Sequence, residues 1–439
     1  MIQLLKEMIL DSQQAALPIG VQRHTKVISL PGKATVYMGV RRSGKSTFMC
    51  QIIQKLLENG ISRENIVHLN FFDDRLYDLQ QMGLSLVLEA YYGLYPQKKN
   101  AETVYFFFDE IQNIPNWESF IDRLMRSEKC EIYLTGSSAR MLSQEIATQM
   151  RGRALSWEVF PFSFKEFLDL KKVPRKKALS SKERLLIQQA FDSFWETGGF
   201  PEVSGLADSE LRIKIHQEYF HTVLFRDLIE RHDISHPKSL IDLAHRLIDI
   251  VASLYSINSL TGYLKSLGHR TSKETVSQHI AWLEDAYFLF TVRLFDASLA
   301  KSHANAKKIY CIDSSLVCSI SSGILINSGH LLENLVFIAL RRLTPHIFYF
   351  KTKKGKEVDF IIRRQDHSYI LIQVCESLVE PKTKKREIDA LTQAMSELQT
   401  QKGFIITLNK TEDLTLEEGV ISILPAWKFA LESDTLLTN

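Results

Sequence analysis

At 439 residues the chain exceeds one ordinary domain, so about two to four are expected, each large enough to bury its own core. Lysine plus arginine number 54 against 51 acidic residues, a formal charge of +3, so any basic signal for nucleic acid has to be local. The five cysteines (Cys50, Cys130, Cys311, Cys318 and Cys375) include no C-x-x-C pair and read as reduced core residues, which suits a cytoplasmic protein. No run of about eighteen apolar residues occurs and the N-terminus lacks a charged-then-apolar signal pattern, so neither a membrane span nor export is expected.

Taken in order, residues 1–33 carry an amphipathic helical pattern from Ile2 to Ser12 and a linker through Leu17-Pro18-Ile19-Gly20. Arg23 reads as a solvated arginine, with contact to a nucleotide as the alternative. A strand-like run, Ala34 to Met38, then leads into Gly39-Val40-Arg41-Arg42-Ser43-Gly44-Lys45-Ser46, which fills every position of G-x-x-x-x-G-K-[ST]. Its glycines let successive backbone N–H groups point at a polyphosphate, and the helix opening at Lys45 adds the positive end of its dipole. Lys45 is expected to reach the β- and γ-phosphates and the Ser46 hydroxyl to meet Mg²⁺. Gly39, Val40, Arg41, Arg42, Ser43, Gly44, Lys45, Ser46 and Thr47 are thus the candidate nucleotide-binding set. The helix runs to Asn59 and stops at Gly60, and Asn65 to Phe71 gives the next strand; strands alternating with helices predict an α/β fold with a parallel sheet.

Val104-Tyr105-Phe106-Phe107-Phe108-Asp109-Glu110 is an apolar run ending in two carboxylates, as a strand buried on both faces requires when its tip opens into a site. Asp109 is placed to hold Mg²⁺, and Glu110, pointing elsewhere, to polarise an attacking water. A helix near Trp117 to Ser127 and a strand from Glu131 follow. At its polar tip Thr135 or Ser137 is a candidate γ-phosphate sensor, with a helix N-cap by Ser137 or Ser138 as the structural alternative. A helix from Ala139 to Met150 precedes Arg151-Gly152-Arg153 and a strand, Leu155 to Phe160. In an AAA-type ATPase an arginine at this point can reach a neighbouring subunit's γ-phosphate; Arg153 is the first candidate and Arg151 the second, with a solvated surface arginine as the alternative.

Beyond residue 160 the pattern is helical. The basic run Lys171 to Lys177 is a solvated loop or a phosphate-contacting patch, and Gly198-Gly199-Phe200-Pro201 is either a helix break or a lid turn that sets Gly199 and Pro201 on an adenine. From Ser256 a helix ends at Gly268, and Thr271 with Glu274 is expected to cap the next one, which runs to about Ala286. This is the order of a helix-turn-helix; a winged version would present Ser272, Lys273, Ser277 and Gln278 to a DNA groove, and the alternative is a module that binds protein. The last stretch reads helix (His330–Arg342, with Glu333), strands at Ile347–Lys351, Glu357–Arg363 (with Asp359) and Ile370–Cys375, a helix at Arg386–Thr400 and a strand at Gly403–Thr407. That order is the core of a restriction-endonuclease-like fold. Such a nuclease needs Glu or Gln, any residue, then Lys on the third strand, whereas Gln373-Val374-Cys375 carries an amide and a thiol. Glu333, Asp359 and Gln373 remain candidate metal ligands, but a degenerate nuclease fold leads over an active one.

In this order the landmarks resemble the bacterial and archaeal AAA-type ATPases that join a P-loop domain to a C-terminal domain of unknown function with a restriction-endonuclease-like core. The resemblance rests on Gly39 to Ser46, Phe108 to Gln112 followed by Trp117, Leu134 to Ser138, Arg151 to Arg153, Pro161 to Phe167, Gly198 to Pro201, Arg226-Asp227, Leu332 to Asn334 and Glu357 to Phe360. It implies ATP rather than GTP, an AAA+-like helical lid, a winged-helix segment, and self-association into an oligomer or ring. The expected domains are 1–160 (ATPase core), 161–234 (lid), 235–298 (winged-helix-like) and 299–439 (endonuclease-like). Three functions stay open: an ATPase that moves a DNA-associated module, a nucleotide-operated switch gating a protein partner, and an ATP-gated nuclease.

Overall fold

A computed structural model describes the backbone of every residue except 26–27, 137–151, 177–178, 365 and 439. The expected helix from Ala139 to Met150, and with it Ser137 and Arg151, lies outside the described residues. The chain divides into two compact units, one of residues 1–160 with 285–287, the other of residues 161–284 with 288–439.

The first unit is built on a five-stranded sheet in the order β2-β3-β4-β1-β5, from β1 (Ala34–Met38), β2 (Ile66–Asn70), β3 (Val104–Asp109), β4 (Cys130–Gly136) and β5 (Ala154–Glu158). Every pairing is parallel, as strand–helix alternation predicts. Helix α1 (Ile2–Gln14) precedes it, α2 (Lys45–Glu58) follows β1, and α3 (Ser85–Leu94) and α4 (Trp117–Ser127) flank β3. All six residues of β3 are buried, so its unbroken apolar run is a strand covered on both faces. Phe107 stacks on Tyr133 of β4 with ring centres 4.6 Å apart, and Phe48 of α2 meets Tyr37 of β1 edge-on at 4.9 Å. These contacts, with Met49, Ile52 and Ile53 beneath them, press α2 onto the sheet and fix where its first residue lies.

Register does the rest. Phe108 pairs with Leu134, which in turn pairs with Val36, and Met38 pairs with Gly136. The C-terminal ends of β1, β3 and β4 therefore stand level, where an open parallel sheet places its ligand site.

The second unit opens with α5 (Phe164–Leu170), α6 (Ser181–Thr197) and α7 (Ser209–Thr222), the first two each started by a Ser/Glu capping box, Ser163 with Glu166 and Ser180 with Glu183. Helix α7 continues as a π-helical stretch, Val223–Glu230, which contains Arg226-Asp227. Next come α8 (Pro237–Asp249), a two-residue strand β6 (Leu254–Tyr255), α9 (Ile257–Ser266), α10 (Lys273–Asp285) and the antiparallel pair β7 (Leu289–Leu294) and β8 (Lys307–Cys311). Ser256 caps α9, as the sequence suggests, but α10 starts one residue later than the Thr271 cap requires. Ser272 accepts the Thr275 N–H at 3.2 Å in that role, and the Thr271 hydroxyl is buried without a hydrogen-bond partner.

Helices α11 (Ser314–Ile320) and α12 (Ser328–Arg341) lead to β9 (Ile347–Lys351), β10 (Glu357–Arg363) and β11 (Tyr369–Val374), then α13 (Pro381–Leu398), β12 (Lys402–Thr407), β13 (Glu412–Leu416), β14 (Gly419–Pro425) and α14 (Ala426–Thr438). Strand β10 is antiparallel to both β9 and β11, and β12 is parallel to β11. The β13–β14 hairpin and α14 extend the elements read from sequence. Because β7 also pairs in parallel with β9, one nine-stranded sheet runs β13-β14-β12-β11-β10-β9-β7-β8-β6 and crosses the 298/299 boundary.

Candidate functional site

The loop between β1 and α2 is shaped as its glycines demand. A Cβ on Gly39 would sit 2.2 Å from the Val159 carbonyl oxygen, so only glycine lets the chain turn there. Arg42 and Gly44 both adopt left-handed conformations, with φ of 64° and 93°, which curls the backbone into a concavity of N–H groups. Gly44 is the N-cap of α2 and no side chain caps that helix, so its first amides are open to an anion. The Ser43 hydroxyl is buried without a hydrogen-bond partner. Lys45 is buried, and its ammonium folds back to donate to the Gly39 and Val40 carbonyls, each at 3.0 Å. Ser46 is exposed and Thr47 half-buried at the mouth of this cradle, and the Arg41 guanidinium lies 6.0 Å from the centre of the exposed Phe72 ring.

The two carboxylates reach this loop from β3. Glu110 Oε1 lies 4.0 Å from the Lys45 ammonium. Asp109 is buried, and its Oδ1 accepts the Thr135 hydroxyl; the same hydroxyl oxygen accepts the Glu110 backbone N–H at 2.9 Å. Register explains the triad, since the pairing of Phe108 with Leu134 sets Asp109 beside Thr135 on the neighbouring strand. Glu110 itself adopts a left-handed φ of 54°, a conformation that costs a non-glycine residue roughly 1–3 kcal/mol and turns its side chain away from the strand direction. Gln112 donates to Glu110 Oε2, a second hold on that carboxylate. The Asp109 charge is felt by its neighbours. Burial lowers the His68 pKa while Asp109 opposes it, and burial first and Asp109 second raise the Cys50 thiol to about 11.

Arg23 is buried, not solvated. Its guanidinium donates to the Ser43 carbonyl of the phosphate loop at 2.7 Å and to the Phe160 carbonyl. Gln51 of α2 holds the preceding segment, donating to the Ile19 and Val21 carbonyls at 2.6 and 2.7 Å and accepting the Arg23 N–H at 3.0 Å. This strap and Gln112 went unread in the sequence, where nothing local marks an arginine whose partners are distant carbonyls.

Arg153 lies elsewhere, just before β5: its carbonyl accepts the Ala34 N–H at the start of β1, and its guanidinium pairs with Asp122 at 2.8 Å. Gly199 and Pro201 belong to the second unit, where the Gly199 N–H donates to Asp313 at 2.7 Å and a Cβ on Gly199 would meet the Phe162 carbonyl oxygen at 2.4 Å. Lys273, Ser277 and Gln278 on α10 and Ser272, which caps it, are all exposed. Among the described residues no group of three or more His, Cys, Asp or Glu is arranged to hold a metal ion, and no helix is long and apolar enough to cross a membrane.

A glycine-shaped loop ahead of an uncapped helix, a buried lysine and an Asp-Glu pair at the tip of the neighbouring strand define a P-loop nucleotide-binding core of the AAA type. Residues 31–168 match the AAA domain family, and residues 188–324 and 328–429 match two domains of unknown function, DUF8612 and DUF4143. An uncharacterised protein of Methanocaldococcus jannaschii is 36% identical over 439 residues, covering 98% of this chain and 95% of the relative; the chain belongs to its family. A second uncharacterised protein, from Haemophilus influenzae, is 31% identical over 347 residues, covering 79% of this chain and 83% of its own length. Among solved structures, a Walker-type ATPase of Pyrococcus abyssi is 16% identical, covers 72% of this chain and 94% of its own, and superposes with a TM-score of 0.42. The Orc1 protein of Aeropyrum pernix, solved in complex with DNA, is 13% identical over 74% of this chain and 92% of its own, with a TM-score of 0.31.

Proposed function

We propose that the chain binds and hydrolyses ATP at the loop of Gly39 to Thr47 and uses the cycle to reposition a DNA-associated module in its second unit. The observation that carries the enzymatic half is the 4.0 Å approach of the Glu110 carboxylate to the Lys45 ammonium, because it brings the strand tip and the loop to one place. With nucleotide present, Lys45 leaves the Gly39 and Val40 carbonyls for the phosphates, and the buried Ser43 hydroxyl and loop amides gain acceptors. Ser46 and Asp109 are the residues that would hold Mg²⁺, which supplies charge neutralisation at the phosphates. Glu110, aimed by its left-handed backbone and by Gln112, takes a proton from the attacking water. Thr135 positions both carboxylates. Arg153 is assigned to the nucleotide of an adjacent subunit, and Gly199 and Pro201 to the adenine.

The module is read as a winged helix, since α8, β6, α9, α10 and the β7–β8 pair follow that order and the exposed face of α10, with its cap, carries the four residues expected to meet a groove. The C-terminal strands and helices follow the order of a restriction-endonuclease-like core, read as catalytically degenerate. The Lys45→Ala and Glu110→Gln variants test the enzyme: phosphate release falls at least about 100-fold in each, with ATP still bound by Glu110→Gln. Equal release from wild type and both variants defeats the reading. DNA binding is tested by its salt slope; loss of affinity as salt rises, reduced by Lys273→Ala, supports the DNA-coupled form, and salt-insensitive binding to protein alone supports a nucleotide-operated switch instead.

A further inference from the structure

The nuclease-like order of the C-terminal elements calls for a divalent metal between Glu333, Asp359 and Gln373, and the side chains found there do not fit one. Lys308 of β8 is buried, and its ammonium reaches Glu333 Oε1 at 2.9 Å, Glu357 Oε1 at 3.0 Å and Asp359 Oδ1 at 2.8 Å. The three carboxylates come from one helix and one strand. Glu333 is on α12; Glu357 opens β10; Asp359 lies where the β9–β10 register shifts between Val358 and Ile361, a bulge that re-aims its side chain. Further donors inside the protein reach two of these carboxylates. The Tyr310 hydroxyl donates to Glu333 Oε1 at 2.6 Å and the Val374 N–H to Asp359 Oδ2 at 2.9 Å. Gln373 is spent as well: its amide oxygen accepts the Asp359 N–H at 3.2 Å and its amide nitrogen donates to Glu387 at 2.8 Å.

We propose that the Lys308 ammonium is the resident cation of this carboxylate site, holding the position a divalent metal would take and keeping metal out. A small hard dication draws oxygens to roughly 2.0–2.6 Å, so it cannot share the space with an ammonium ringed by the same oxygens, and like charge repels it further. Nor can the lysine step aside cheaply. Its backbone is held by pairing on both edges, with Val292 of β7 and Leu254 of β6, and turning the side chain away would leave three carboxylates without their counter-ion. Burial disfavours the ammonium, but the Asp359, Glu333 and Glu357 carboxylates beside it outweigh that and hold Lys308 well above the usual lysine range. The lysine that the sequence lacks at Cys375 is thus supplied from another strand, but as a counter-ion at the metal's place. The hairpin and the C-terminal core are clasped by the same group.

The test is Mn²⁺ binding by the nucleotide-free, full-length protein, followed by electron paramagnetic resonance, in wild type, Asp359→Asn, Lys308→Met and the double variant. Wild type and Asp359→Asn are expected to bind the same amount of Mn²⁺. Lys308→Met gains one bound ion, at least about tenfold tighter than any in wild type, and the double variant loses it. Wild-type Mn²⁺ binding that Asp359→Asn removes overturns the proposal, and so does a folded Lys308→Met protein that gains nothing. If Lys308→Met fails to fold, the comparison of wild type with Asp359→Asn decides alone. All four proteins keep Lys45 and Asp109, so the outcome is separate from that of the ATPase assays.

Discussion

The Thr135 hydroxyl donates to the Asp109 carboxylate across the β3–β4 pair. Its oxygen then accepts the Glu110 N–H at 2.9 Å, so one side chain fixes both acidic residues. Removing it leaves a buried carboxylate oxygen and a backbone donor without their partner, at a cost of about 1–3 kcal/mol. We expect Thr135→Val to lower kcat for phosphate release about 10- to 100-fold with KM for ATP changed less than threefold, and Thr135→Ser to restore most of the rate. An unchanged kcat in Thr135→Val would remove Thr135 from the machinery.

How much of this site was legible beforehand depends on the distance between partners. Gly39 to Ser46 and the Asp109-Glu110 pair are contiguous signals whose chemistry follows from spacing, and the strands bearing them are apolar runs. That Thr135 stands beside Asp109 depends on register between two strands, which no single strand encodes, and Ser137 lies outside the described residues. Arg23 looked solvated because its acceptors are carbonyls 20 and 137 residues away. Lys308 was invisible for the same reason, its partners Glu333 and Asp359 lying 25 and 51 residues downstream. The Thr271 cap failed by one residue because Ser272 offers the same hydroxyl chemistry next door.

Arg23 ties the strap to the loop. With Arg23→Met the Ser43 and Phe160 carbonyls lose a charged donor in a buried place, a loss of about 2–3 kcal/mol. Calorimetry of the nucleotide-free protein should show a lower Tm for the first unit, and ATP should raise that Tm less than in wild type because the loop is no longer held in its binding shape. A Tm within a degree of wild type would mean the two carbonyls find other donors.

Gly39 should tolerate no side chain. The 2.2 Å approach to the Val159 oxygen is backbone against Cβ, so Gly39→Ala forces β1 and the segment after β5 apart. The expected result is a folded protein with ATP affinity reduced at least about tenfold, measured by fluorescence of a labelled nucleotide. Wild-type affinity would show that the loop has room to move.

Acid should destabilise the second unit through its histidines. Burial pushes the His279 pKa down to about 4 and also lowers His216 and His245. A histidine that is neutral when folded and has its ordinary pKa of about 6.5 when unfolded contributes stability in full above pH ~6.5, and that contribution is lost as pH falls towards 4. For His279 the loss is on the order of 3 kcal/mol at most. Denaturant unfolding between pH 7 and 4 should show stability falling with acid, with a shallower slope in His279→Leu; an unchanged slope assigns the acid sensitivity to other groups.

Arg153 lies at the opposite end of β1 from the phosphate loop of its own chain. It sits before β5, beside the start of β1, whereas the phosphate loop follows the end of β1. Five strand residues at about 3.3 Å each put some 16 Å of sheet between them within one chain. Its present partner, Asp122, leaves it 42% exposed and available at the surface. We therefore expect a slowly hydrolysed ATP analogue to raise the chromatographic mass and Arg153→Ala to lower kcat at least about tenfold without weakening ATP binding. The deciding experiment mixes two impaired proteins, Arg153→Ala with its glutamate intact and Glu110→Gln with its arginine intact. In a mixed oligomer some interfaces pair a sound Glu110 with a neighbour's Arg153, so turnover should rise above that of either component; mixtures no more active than their components, or a monomer with and without nucleotide, would retire Arg153 as a group acting across subunits.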